Sequence, residues 1–315
     1  MRLSHMVGAA VLVGALIGLL PDTASAQDKV VGIGFQKYGN LILLKGRGGL
    51  ESRLAPLGYK VEWKEFPSGP PLLEALNAGA IDFGHAGETP PIFAQAAGVP
   101  FVYAAYEPPA PQGEAILVSR DSPIKAVADL KGKKVALNKG SNVHYLLVRA
   151  LENAGLKYSD IETAFLAPAD ARAAFERGAV DAWVIWDPYQ AAAETATGAR
   201  ALTDATGLAP NRQFYLASRK LADTKPEVVD AIIAEIADID RWASGREKEV
   251  ATELSAGIGI PASVLELALK RQTYGVRPID AETVRDQQHI ADTFYALRLV
   301  PKPVVISDIV RKPGS

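Results

Sequence analysis

Glu88, His144 and Asp187 are the side chains of this chain best suited to acid–base chemistry, and each stands where a short apolar stretch gives way to a polar break. Glu88 follows Gly87 and precedes Thr89-Pro90-Pro91. His144 follows Gly140-Ser141-Asn142. Asp187 lies within Trp186-Asp187-Pro188-Tyr189, and a fourth break runs Gln36-Lys37-Tyr38-Gly39-Asn40. No nucleophile elbow, zinc-protease helix, phosphate loop or dinucleotide fingerprint accompanies them. The four histidines (His5, His85, His144, His289) have no metal-ligand spacing, and the absence of cysteine rules out thiol chemistry. An exported enzyme using Glu88, His144 or Asp187 as acid or base is the lesser reading. Binding without metal or cofactor is the expected role.

What the breaks share is a helix start. The first turn of a helix leaves backbone N–H groups unpaired and carries partial positive charge. Several such starts gathered at the carboxyl ends of parallel strands make a crevice for a small anion. Thr89 with Pro90 behind it reads as a cap followed by proline at the first helical position. Gly87 lets backbone approach a ligand. Of Ser141 and Asn142, one caps its helix and the other is spare for the cleft, while His144 falls in the first turn as a neutral donor. Asp187 reads as a cap ahead of Pro188, and Trp186 and Tyr189 could wall an apolar tail. Gln36 is the preferred contact in the first break. Glu88 is favourable beside a helix start but repulsive to an anion.

The elements that must position these residues follow from the rest of the chain. Arg2, an apolar run from Met6 to Leu20 and Ala24-Ser25-Ala26 form a signal-peptide pattern, so residues 1–26 are expected to be removed and the protein to be periplasmic. The remaining 289 residues suffice for two lobes. A net charge of −2 is not that of a nucleic-acid binder. Short strands are expected over Val30–Phe35, Lys60–Phe66, Ile81–Gly84 and Phe101–Tyr106, and again over Lys134–Leu137, Thr163–Leu166 and Ala182–Trp186, with helices between them.

Leu76-Asn77-Ala78-Gly79-Ala80-Ile81-Asp82-Phe83 is echoed about a hundred residues later by Phe175-Glu176-Arg177-Gly178-Ala179-Val180-Asp181-Ala182. Two lobes of like topology explain the echo. Past Leu216 the chain turns helical, with an amphipathic stretch over Pro226–Ala243 and further helices over Glu247–Ser255, Pro261–Lys270 and Ala281–Leu297. This tail is expected to pack on the first lobe. The expected division is residues 27–115 plus 216–315 in one lobe and 116–215 in the other, with crossings near Glu114–Val118 and Gln213–Ala217.

Long runs of this sequence resemble the periplasmic aliphatic sulfonate-binding proteins of ABC importers. They are Phe35-Gln36-Lys37-Tyr38-Gly39, Gly87-Glu88-Thr89-Pro90-Pro91, Tyr106-Glu107-Pro108-Pro109-Ala110-Pro111, Leu137 through Tyr145, Val184 through Gln190 and Asp292 through Leu297. The resemblance implies a bilobal α/β periplasmic binding protein of type II, its two domains joined by a two-stranded hinge. It implies a monomer that delivers alkanesulfonates to an inner-membrane ABC permease for sulfur supply. Gln36, Gly87, Thr89, Ser141 and Asn142 are then expected at the sulfonate headgroup, and Trp186, Asp187 and Tyr215 at the tail or in the closed state. The same fold serves taurine, nitrate and thiamine-precursor binders, which are the alternative ligands.

Overall fold

The computed structural model of the protein describes residues 29–312, so the expected leader over residues 1–26 lies outside them. Among the described residues no helix is long and apolar enough to cross a membrane.

The first stretch alternates strand and helix: β1 (Lys29–Phe35), α1 (Asn40–Arg47), α2 (Gly49–Leu54), β2 (Tyr59–Glu65), α3 (Gly69–Asn77), β3 (Phe83–Gly87), α4 (Thr89–Ala97) and β4 (Phe101–Tyr106). The second does the same: β5 (Glu114–Val118), β6 (Lys134–Leu137), α5 (Asn142–Asn153), β7 (Glu162–Phe165), α6 (Pro168–Glu176), β8 (Ala182–Trp186), α7 (Tyr189–Thr197) and β9 (Arg200–Asp204). After β10 (Gln213–Ser218) come only helices: α8 (Arg219–Thr224), α9 (Pro226–Ala243), α10 (Glu247–Ile258), α11 (Ala262–Leu269) and α12 (Ala281–Ala296).

The strands form two five-stranded sheets, in the orders β2-β1-β3-β10-β4 and β7-β6-β8-β5-β9. The orders are equivalent, with β10 and β5 as the antiparallel insertions. Glu114–Val118 therefore belongs to the second sheet and Gln213–Ser218 to the first. The chain passes between sheets in the segments just ahead of these strands, 107–113 and 205–212.

The repeated motif has a physical basis. Gly79 and Gly178 both adopt the left-handed conformation, φ 69° and 70°, which favours glycine at a helix end. Three residues on, each motif's Asp anchors the neighbouring strand. Asp82 Oδ2 accepts from Gly32 N at 2.9 Å, and Asp181 Oδ2 accepts from Lys134 N at 2.8 Å. Because Asp82 is committed there, β3 begins at Phe83 and runs to Gly87, later than the sequence suggested. The edge strand β9 escaped the periodicity because Arg-Ala-Leu-Thr-Asp scarcely alternates.

The helical tail returns to the first sheet. Val228, Val229, Ile232, Ile236 and Ile239 of α9 are buried in one core with Leu41, Leu44, Leu50 and Phe83. Each such side chain contributes about 1.5–3 kcal/mol on burial. The other large core is continuous from Phe101 and Phe294 to Trp183 and Leu146, so the two sheets' layers are in contact.

Candidate functional site

A cavity lies between the two sheets' layers. It is lined by Tyr38, Gly39, Gly87 and Gln213 from the first, by Asn142, Trp186, Asp187 and Pro188 from the second, and by Glu107, Gly113, Asn211 and Arg212 from the crossing segments. Leu254, Ile258, Leu265, Ala268 and Leu269 of α10 and α11 form an apolar wall, with Arg271, Gln272 and Thr273 beyond it. Its volume is about 90 Å³. An ordered water takes about 10–15 Å³ on the same measure, so the space suits a small organic molecule and not a peptide.

The helix starts are what the cavity's polar end is made of. Gly39 precedes α1, Glu88 precedes α4 and Ser141 precedes α5, and none of the three starts has a side-chain cap. Ser141 Oγ donates instead to Asn138 O at 2.7 Å. By contrast, Asp187 Oδ1 accepts from Ala191 N at 3.0 Å in the first turn of α7. One acid at the cavity thus serves its own helix.

Of the residues singled out in the sequence, Gly87, Asn142, Trp186 and Asp187 line the cavity. Gln36, Glu88, Thr89, Ser141, His144 and Tyr215 stand behind that lining, all buried. Gln36 Nε2 donates to His85 O at 3.0 Å and holds β1 to β3. Tyr215 donates to Glu107 Oε1 at 2.8 Å and accepts from Gln213 Nε2 at 3.0 Å. His144 Nδ1 accepts from Gly140 N at 3.3 Å, and its Nε2 meets the Tyr158 hydroxyl at 2.7 Å. Its ring lies among Phe93, Phe165 and Phe294. Burial, helped by Lys139, drives His144 down to about 4, so it is neutral at ordinary pH.

The carboxyl groups resolve the apparent conflict with an anion. Burial, then the charge of Glu88, pushes Glu114 well above the usual carboxylate range, and burial also raises Glu88. Asn142 Nδ2 donates to Glu114 Oε2 and, at 2.9 Å, to Asn211 Oδ1. Glu88 Oε2 accepts from Arg212 N at 3.1 Å. Burial, then Asp240, pushes Glu107 up to about 9. Asn40 Nδ2 donates to both Glu107 and Asp240. A protonated carboxyl carries no charge to repel an anion.

The cations are committed as well. Arg212 pairs with Asp286 at 2.7 Å, and Arg271 with Asp187 at 3.3 Å and Glu194 at 2.6 Å. Lys37 Nζ donates to Ile258 O at 3.3 Å. The cavity thus combines uncapped helix starts, neutral amides and an apolar wall, without an uncompensated charge of either sign among its acid and guanidinium side chains. Sequence reasoning missed Glu107, Asn211, Arg212, Gln213, Arg271 and the α10–α11 wall. Those α10 and α11 residues carry ordinary core periodicity, and only the fold turns one end of them to the cleft. Among the described residues no cluster of His, Asp and Glu could hold a metal ion.

This arrangement has close counterparts. The model of the NMT1-like family matches residues 27–259. An Escherichia coli (strain K12) protein named for binding aliphatic sulfonates is 45% identical over 306 residues, 95% of each chain. The crystal structure of the periplasmic aliphatic sulphonate binding protein from Escherichia coli superposes with a TM-score of 0.83 at 45% identity, covering 91% of this chain and 93% of that one. The alkanesulfonate-binding protein of Xanthomonas axonopodis pv. citri, bound to MOPS, gives 0.86 at 41% identity over 91% of this chain and 99% of its own.

Proposed function

The chain belongs to the NMT1-like family, and from that premise we propose that it is the substrate-binding component of an ABC importer for aliphatic sulfonates. It binds and releases its ligand without chemistry. The observation that carries this reading is the meeting of three uncapped helix starts with an apolar wall in one cavity. A sulfonate is a permanent anion with three acceptor oxygens and a hydrocarbon tail. Helix starts and neutral amides suit the first part, and α10 and α11 suit the second.

In this reading Gly87 and Asn142 bracket the headgroup, with Gln36, Glu88, Thr89, Ser141, His144 and Tyr215 fixing the backbone around it. Trp186 and Asp187 stand towards the tail. The lobes follow the two sheets, β1 to β4 with β10 and the helical tail in one and β5 to β9 in the other, each moving about the crossing segments 107–113 and 205–212 rather than dividing at 115/116 and 215/216. The protein works as a periplasmic monomer that hands its ligand to an inner-membrane permease. The periplasmic relatives support that location.

The test is thermal unfolding of the purified protein with alkanesulfonates of increasing chain length, with nitrate and taurine alongside. A ligand at a hundred times its Kd adds about 2.7 kcal/mol, a readily measured shift. A shift with linear alkanesulfonates is expected. No shift with any sulfonate, together with one from nitrate, would overturn the assignment.

A further inference from the structure

Arg271 lies just past α11 and lines the cavity from the helical tail. Its Nη1 donates to Asp187 at the end of β8 and its Nη2 to Glu194 on α7. Both acids come from the second sheet's layer. The side chains of Arg271, Asp187 and Glu194 are 18%, 12% and 20% exposed, so this bridge is less screened than a surface pair. Beside it, Ala191 and Ala192 of α7 press on Val264 and Ala268 of α11, in an apolar cluster separate from the two large cores. The seam between α7 and α11 therefore has a small apolar half and an ionic half.

Glu194 has no other evident role. It does not line the cavity, and Asp187 already satisfies the start of α7. Its remaining partner is Gln190 on the same helix, at 3.2 Å. With Arg271 removed, a closed cleft would leave Asp187 at the cavity wall, and Glu194 behind it, with no countercharge. We propose that Arg271 is a positioning residue for binding, which bridges to Asp187 and Glu194 only when the cleft closes and so makes release of the ligand slow. The proposal rests on reading the protein as a receptor that closes around an anion. A planar guanidinium can hold both acids at once, whereas an ammonium is a point charge.

The chain's lack of cysteine makes closure measurable. Ala192→Cys with Val264→Cys places one thiol on each side of the seam, and a mild oxidant such as copper–phenanthroline joins them as a disulfide when the cleft is shut. The cross-linking rate is compared in this background and with Arg271→Lys or Glu194→Gln added, each with and without MOPS. Release of MOPS is followed separately by stopped flow in the cysteine-free proteins. Both substitutions are expected to slow cross-linking about tenfold and to speed release by a similar factor, leaving association nearly unchanged. Unchanged cross-linking and release in both variants would overturn the proposal. MOPS should accelerate cross-linking in the unsubstituted background. If it does not, while the substitutions still slow closure, the sulfonate reading falls and the role of Arg271 stands.

Discussion

At Gly87 a side chain has no room. A Cβ there would meet Asn142 Cβ at 2.8 Å and Cγ at 2.9 Å, closer than real Cβ atoms approach. Since Gly87 and Asn142 come from opposite sides of the cleft, Gly87→Ala should obstruct closure more than folding. Calorimetry with an alkanesulfonate is expected to show at least about a tenfold loss of affinity, with the ligand-free unfolding midpoint within a few degrees of the parent. Glu107 supplies a pH signature. In the unfolded chain it titrates near 4.5, and in the folded chain it holds its proton up to about 9. The folded state is then the better proton binder between those values, so this stabilisation is complete below about pH 4.5 and lost as pH rises through 9. Glu107→Gln stays neutral throughout. Urea unfolding from pH 6 to pH 10 should show a smaller alkaline loss in the variant, by about 1 kcal/mol or more. An identical slope in both proteins would contradict this account. The sequence exposed the acids at Glu88 and Asp187 but not why they are tolerated. The partner of Asp187 is Arg271, 84 positions away, and nothing local marks that pairing. Gly87, Asn142 and Trp186 were legible because each sits at a strand-to-helix break.

Among the elements, α10 and α11 determine what the tail meets. Along a linear alkanesulfonate series, affinity should rise by about 0.8 kcal/mol for each methylene that reaches the apolar wall, and then level off. Leu269→Ala should flatten that rise while leaving methanesulfonate almost unaffected, as measured by calorimetry. An equal loss for every chain length would place Leu269 away from the tail. The strands and the amphipathic α9 were plain from periodicity, since a buried face repeats along the element that makes it. The wall was not plain, because Leu265 and Leu269 lie in the same core cluster as Val250. Burial against protein and burial against ligand impose one and the same apolar pattern. The caps differed in another way. Thr89, and one of Ser141 and Asn142, are expected to close their helices with side-chain bonds, yet both starts are uncapped.

For the molecule as a whole, binding should tie the two layers together. Amide exchange is expected to slow on addition of an alkanesulfonate at 38–40, 87–89 and 141–143, on both sides of the cavity, and at the α7–α11 seam. Slowing on one side alone would mean that the ligand is held without closure. The bilobal plan was the most legible feature, because the Gly-Ala-apolar-Asp echo marks a repeated anchor, with Asp82 and Asp181 each pinning the first strand of its sheet's parallel part. Where the chain changes sheets was harder to read, since β5 and β10 are buried on both faces like any central strand. Those two strands lie in equivalent places, each inserted antiparallel into the sheet opposite the one the chain has just left. The second sheet is consequently a cassette, entered through 107–113 and left through 205–212. A cassette with two neighbouring ends can be exchanged for that of a relative, carrying Asn142, Trp186 and Asp187 with it while Gly39, Gly87 and the apolar wall stay behind. Ligand choice in such chimaeras would be inherited in halves, the host's apolar wall and the cassette's Trp186 each bearing on the tail and the headgroup contacts shared between the two parents.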